Sequence, residues 1–245
     1  MSKRHPIIAA TGSSGAGTST IKRAFNRLFD HMGLNVCPVE GDAFHRYGRE
    51  SMREKAREAK IRSENFSHFG PATNLLSKLE TLFRQYGAGG SGTFRRYIHN
   101  EDDAALFSGV SGGFTAWEAV PEKTDLLFYE GLHGGAVTDE YNIARHADLL
   151  LGVVPTINLE WAQKVWRDTT ERGYSHDEVR DNILRRMPDY VNYIVPQFSR
   201  TDINFQRVPT VDTSNPFALN DVPTADESMV VIRFRDPRRH NIDFP

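Results

Sequence analysis

The sequence predicts an α/β domain with a mixed, mostly parallel sheet flanked by helices. Three observations point to it. Short apolar runs alternate with segments of helical spacing, the order of strand–helix–strand units. Three of these runs end at a glycine or an acid. The first run also leads straight into a loop of glycines and serines that opens a helix.

Each element follows from its own pattern. Residues 6–11 are a short apolar run ending at Gly12, which reads as a buried parallel strand. Residues 18–32 place Ile21, Phe25, Leu28 and Phe29 at helical spacing, and Gly33 stops the helix. Residues 35–40 are a second strand, ending at Gly41-Asp42. Residues 51–64 are highly charged and read as a surface helix. Leu75, Leu79, Leu82 and Phe83 give residues 71–86 a helical stripe. The glycine-rich stretch 87–92 breaks that helix and leads into an excursion over 93–117. Residues 124–129 and 147–154 are further strands, 157–172 and 175–187 are helices, and 208–212 and 229–234 are late strands. There is no internal repeat, so the whole chain, 1–245, is expected to form one domain. Two apolar residues in the closing stretch 241–245 suggest that the natural chain continues.

Composition narrows the classes of function. At 245 residues the chain is long enough to bury a sizeable core. A content of 39% hydrophobic and 25% charged residues is that of a soluble globular protein. The net charge of −2 argues against a nucleic-acid partner. The one cysteine, Cys37, sits in an apolar stretch and reads as a small buried hydrophobe; no internal disulfide can form. The apolar run near the N-terminus is too short for a signal peptide, and nothing approaches a membrane span. The expectation is a cytoplasmic protein with no membrane partner.

The loop is Gly12-Ser13-Ser14-Gly15-Ala16-Gly17-Thr18-Ser19-Thr20. It keeps the spacing of a phosphate-binding P-loop at Gly12, Gly17 and Ser19. Its backbone N–H groups and the helix N-terminus suit ATP phosphates, and Ser19 suits Mg²⁺. The usual lysine is absent, because Thr18 takes its place. Phosphoryl transfer needs cations around the β- and γ-phosphates, so another segment must supply them.

Two acids follow apolar strands, where ligands of such sheets gather. Glu130 suits a metal-holding role. Asp42 is a candidate general base for an attacking hydroxyl, with helix N-capping as the competing reading. The helix over 157–172 carries Lys164, Arg167, Asp168, Glu171 and Arg172 on one face. A solvated face with ion pairs is the ordinary reading of such a helix. The missing P-loop lysine favours another: a lid over ATP whose Lys164 and Arg167 touch phosphates, with the two tryptophans packing elsewhere.

Beyond this loop, the stretches 40–46, 129–133, 167–174 and 201–209 together resemble the bacterial phosphoribulokinase family. The likeness runs from the N-terminus to Phe244-Pro245. It implies a fold like that of nucleoside monophosphate kinases and MgATP-dependent phosphorylation of the C1 hydroxyl of ribulose 5-phosphate in the Calvin cycle. It also implies Asp42 as the base, Glu130 and Asp168 as acidic site residues, and Lys164 and Arg167 serving ATP and transfer. His45, Arg49, Tyr97, His99 and Arg172 would bind the sugar phosphate. The family's bacterial members are octamers activated by NADH and inhibited by AMP, with an arginine effector site to which Arg185 or Arg186 could belong. This chain departs from the pattern at His31, where an arginine is expected, and it ends before the family's C-terminal segment. A two-cysteine redox switch cannot operate with Cys37 alone. The competing readings are a uridine kinase-like nucleoside kinase and a non-catalytic nucleotide-binding switch. Intact Asp42 and Glu130 count against the switch, and the basic residues around His45 suit a phosphorylated acceptor better than a nucleoside.

Overall fold

The computed structural model describes residues 4–219 and 221–240. In chain order it contains β1 (Ile7–Thr11), α1 (Thr18–Met32), β2 (Val36–Glu40), α2 (Arg49–Ile61), α3 (Leu76–Gly89), β3 (Thr93–Phe94), α4 (Glu101–Phe107) and β4 (Glu118–Ala119). Then come β5 (Leu126–Gly131), β6 (Leu149–Val153), α5 (Ile157–Thr170), α6 (His176–Asp189), α7 (Val195–Phe198), β7 (Ile203–Pro209) and β8 (Ser228–Phe234). Six strands form one sheet in the order β2-β5-β1-β6-β7-β8. The first five run parallel, and β8 pairs antiparallel with β7. This is the mixed, mostly parallel sheet that the alternation of runs predicts.

Both faces of the sheet are covered, so its central strands are apolar on both sides. Ile7, Ala9, Leu127 and Tyr129 face α3, against Leu79, Leu82, Phe83 and Tyr86. Ala10, Leu126, Phe128 and Leu151 face the other way, toward α1 and its Phe29. Phe25 stacks on Phe128 with ring centroids 5.6 Å apart. Cys37 is buried in the first layer, and burial pushes its thiol up to about 11, which leaves it a small apolar group.

The register places the site. Thr11 of β1 lies beside Gly131 of β5, and Glu130 of β5 lies beside Glu40 of β2. The glycine loop after β1, Glu130, and the turn carrying Asp42 therefore emerge side by side at the carboxyl ends of three adjacent strands.

Several boundaries differ from expectation, each for a local reason. The strand expected at 208–212 is Ile203–Pro209. Ile203 and Phe205 pack on the core, and their period of two is cut short at Arg207, where the next apolar residue is due. The helix expected from residue 71 starts at Leu76, because Pro71–Thr73 forms a 3₁₀ turn; it then runs on through the first glycines to Gly89. The helix expected to stop at residue 187 continues through Pro188 into a π-turn, Tyr190–Ile194, and then α7. A proline in mid-helix removes one N–H, and the widened turn accommodates it. Tyr190 and Ile194 pay back that distortion by packing on Phe69 and Leu132. The excursion holds α4 and the two-stranded β3–β4 ribbon. The closing stretch 241–245 lies outside the described residues. Among those described, no helix is long and apolar enough to cross a membrane.

Candidate active site

The phosphate loop depends on two glycines. Gly17 is the N-cap of α1 with φ 96°, a left-handed conformation that side-chain-bearing residues rarely adopt. Gly15 has φ 110°, and a Cβ there would lie 3.0 Å from the Glu160 carbonyl of α5. No side chain caps α1, and its first turn holds no acid. The N–H groups at that helix end and its partial positive charge thus face the loop unopposed.

One open cleft of ≈ 2460 Å³ runs from this loop to the excursion. It is lined by Gly12, Ser13, Ser14, Gly15, Gly17, Thr18 and Ser19 at one end. It also gathers Asp42, Glu130, Lys164, Arg167, Asp168 and Arg172, together with His45, Arg49, Tyr97 and His99. Two loop residues do not line it. Ala16 is buried, and Thr20 turns outward, accepting from Arg23 at 3.3 Å.

The acids sit as the register requires. Asp42 lies inside the 3₁₀ turn after β2, whose N-cap position is held by Glu40. The capping reading therefore fails, and a carboxylate that is 44% exposed faces the cleft. Burial pushes the Glu130 carboxyl up, while a hydrogen bond with Thr18 pulls the other way. The residue in the lysine position thus engages the metal-site candidate. Among the described residues no cluster of three or more His, Cys, Asp or Glu forms a metal cage. Glu130 and Ser19 fit a Mg²⁺ ion, which binds through few protein oxygens and completes its shell with phosphates and water.

Helix α5 differs from the ordinary reading of a solvated charged face. Its charged face is buried along with its apolar one: Glu160 is 6% exposed, Lys164 8% and Asp168 4%, beside buried Leu159, Ala162 and Val165. Trp166, expected to pack, is half-exposed, while Trp161 packs on Phe217 with centroids 5.4 Å apart. The burial of the charged face follows from charge pairing, because buried cations need a counter-charge. Asp168 accepts from Lys164, from Arg167 Nη2 at 2.9 Å and from Arg172 Nη1 at 3.2 Å. Burial works to raise the Asp168 carboxyl, but Lys164 and Arg167 overcome it and hold it below the usual carboxylate range. Burial and the nearby Arg186 bring the Lys164 ammonium down to about 8. Arg167 Nη2 also donates to Ser14 Oγ at 3.0 Å, so the cations rest directly on the loop.

At the opposite end, the His45 ring stacks on His68 with centroids 4.0 Å apart, and the Tyr97 and His99 centroids are 4.9 Å apart. Arg49 Nη2 donates to the His99 carbonyl at 2.6 Å, which ties α2 to the excursion. Burial pushes His45, His68 and His133 down, so all three are neutral near pH 7. His99 is pushed up by its 3.3 Å contact with Glu40, whose carboxyl His99 and Lys22 bring down to about 2 against burial.

Sequence reasoning missed Glu160, Gln163, His68 and the Lys22–Glu40 pair. Glu160 lies one turn before Lys164 on the charged stripe, so extending the stripe backward would have found it. His68 is in a loop with no periodicity and left no signal. Arg185 and Arg186, considered for a separate effector site, line the same cleft.

The chain matches the phosphoribulokinase / uridine kinase family over residues 7–214. It is 60% identical over 245 residues to a plasmid-borne phosphoribulokinase of Cupriavidus necator, covering 100% of this chain and 83% of that protein. It is 57% identical over 246 residues to the phosphoribulokinase of Nitrobacter vulgaris, covering 100% and 84%. The solved structure of phosphoribulokinase from Rhodobacter spheroides superposes with a TM-score of 0.87 at 52% identity, covering 97% of this chain and 82% of that one.

Asp168→Asn should leave three cations facing a neutral amide and lower the unfolding free energy by about 3 kcal/mol at pH 7. The native carboxyl is held low, so its contribution is present above the unfolded value of about 3.9 and fades as pH falls through the folded one. The gap between wild type and variant in urea denaturation should therefore close below about pH 4. Equal stability at pH 7 would remove Asp168 from this role.

Proposed function

The chain belongs to the phosphoribulokinase / uridine kinase family, and we infer that it transfers the γ-phosphoryl group of ATP to the C1 hydroxyl of D-ribulose 5-phosphate. The products are ribulose 1,5-bisphosphate, the CO₂ acceptor of the Calvin cycle, and ADP. The observation that carries this reading is one continuous cleft joining a phosphate loop, a partly exposed Asp42 and a basic acceptor wall, in a chain 60% identical to a phosphoribulokinase over its whole length.

The roles follow from position. The loop amides hold the ATP phosphates. Asp42 accepts the proton of the C1 hydroxyl as that oxygen attacks the γ-phosphorus and ADP departs. Lys164 and Arg167 supply the charge that Thr18 cannot, stabilising the transferring group from the α5 side. Asp168 keeps those cations aimed at the loop. Ser19 and Glu130 would hold Mg²⁺, which when bound neutralises charge on the β- and γ-phosphates. His45, Arg49, Tyr97, His99 and Arg172 form the sugar-phosphate site, where an arginine fork suits a phosphate.

The resemblance extends the proposal to assembly and control: a cytoplasmic homo-octamer, activated by NADH and inhibited by AMP. Arg185 and Arg186, the residues proposed for the effector site, line the cleft.

A coupled assay of ADP release with MgATP should show turnover on ribulose 5-phosphate and none on uridine; the reverse would overturn the proposal. Asp42→Asn should lower kcat by at least ~10²-fold with little change in ATP affinity, since the base acts on the acceptor. A near-normal kcat would take the base role from Asp42. Added NADH should raise the initial rate at fixed substrate, whereas a flat response would mean that this chain lacks the family's activation.

A further inference from the structure

Three consecutive residues of the phosphate loop are tied to α5. Ser13 donates its hydroxyl to Glu160, and Ser14 accepts from Arg167 at 3.0 Å. The Gln163 amide, oriented by its neighbours, donates to the Gly15 carbonyl at 2.6 Å and accepts from Arg207 at 2.8 Å. Of these three ties, the one through Glu160 is chemically unusual. Its carboxyl is 6% exposed, and Ser13 is 1% exposed. The second Glu160 oxygen accepts from the Tyr190 hydroxyl at 3.1 Å, across from the π-turn that follows α6.

A buried acid in a purely structural tie is a costly choice. A glutamine would hold both hydroxyls without the desolvation penalty of a carboxylate. The groups that face Glu160 are Ser13 from the loop, Tyr190 from the π-turn and Lys164 from its own helix. Lys164 is committed to Asp168, so no cation is paired with this acid. Tyr190 is itself pushed up by burial and stays neutral. Burial pushes the Glu160 carboxyl up to about 7, with the two hydroxyls and Lys164 pulling it back. The group is thus balanced between its two forms at neutral pH, behind a loop built to receive several negative charges.

We propose that Glu160 is a positioning residue of the nucleotide site: it holds Ser13 and the first turn of the phosphate loop against α5, and it takes up a proton when a nucleotide's phosphates bind. This rests on the reading that the loop binds ATP. The sign follows from charge. Phosphates arriving on the loop disfavour a nearby carboxylate and favour the neutral acid. Binding is therefore linked to proton uptake, and affinity falls as pH rises through neutrality, where the proton becomes scarce.

The test is calorimetric titration of the full chain with Mg²⁺ and the β,γ-imido analogue of ATP, in two buffers of different ionisation enthalpy. Wild type should take up on the order of 0.3 proton per site at pH 7. Glu160→Gln keeps the shape and an acceptor for Ser13, and it should bind with that uptake lost and with a flatter affinity profile between pH 6 and 8. Glu160→Ala removes the acceptor and should weaken binding about tenfold; if it does not fold, the glutamine variant carries the test. Uptake in Glu160→Gln equal to wild type, or wild-type binding with no buffer dependence, overturns the proposal while leaving the ATP reading intact. No binding by wild type overturns both.

Discussion

The cleft depends on a buried carboxylate at the base of α5. A site for triphosphate and sugar phosphate must concentrate positive charge, yet cations withdrawn from water are unstable without a partner. Asp168 supplies the partner for Lys164, Arg167 and Arg172 at once. It lets the helix lay its charged face on the phosphate loop, so the face that resembles a solvated surface in sequence becomes buried too. The contact of Arg167 with Ser14 and the exposure of Trp166 on the outer side accompany that pairing.

The acceptor end solves a different problem. A phosphorylated sugar needs charge at its phosphate but not around the reacting hydroxyl. The proposed site divides the two tasks. Arg49 and Arg172 line the cleft with fixed charge, whereas His45 and His68, which line it too, are kept neutral by burial. Neutral imidazoles remain able to donate and accept hydrogen bonds. His99 differs because Glu40 lies beside it, and Glu40 is held low in turn by His99 and Lys22.

How much of this could be read from the sequence depends on whether the signal was local. The loop, Asp42 and Glu130 were legible because each sits where a strand ends, and strand ends are marked by apolar runs that stop at glycine or acid. Lys164, Arg167 and Asp168 were legible as a stripe, but its direction was not: helical spacing defines a face without saying what the face meets. Desolvation and pairing with Asp168 decided that, and both are tertiary facts. The strand Ile203–Pro209 was misplaced because the alternation of Ile203 and Phe205 breaks at Arg207, where the next apolar residue is due. Helix α6 was cut short because proline is an ordinary stop, and only the packing of Tyr190 and Ile194 carries the chain past it. His68 could not be found at all, since a loop residue has no period.

Moving the cation from the loop to the helix has a consequence for the chemistry. The register brings Glu40, Glu130 and the turn with Asp42 together on one side of the phosphate loop. A lysine in place of Thr18 would sit among these acids, and the nearest, Glu130, already engages Thr18. An ammonium there would pair with carboxylates as readily as with phosphates, and it would lower the affinity of a neighbouring base for a proton. Under the proposed roles, threonine leaves the acids free for the metal and the acceptor hydroxyl. The cations come instead from α5, held in place by Asp168. In the proposed reaction the transferring phosphoryl group would then have its positive charge on the α5 flank and its proton acceptor, Asp42, on the other, an arrangement that a lysine-bearing loop beside these three acids would blur.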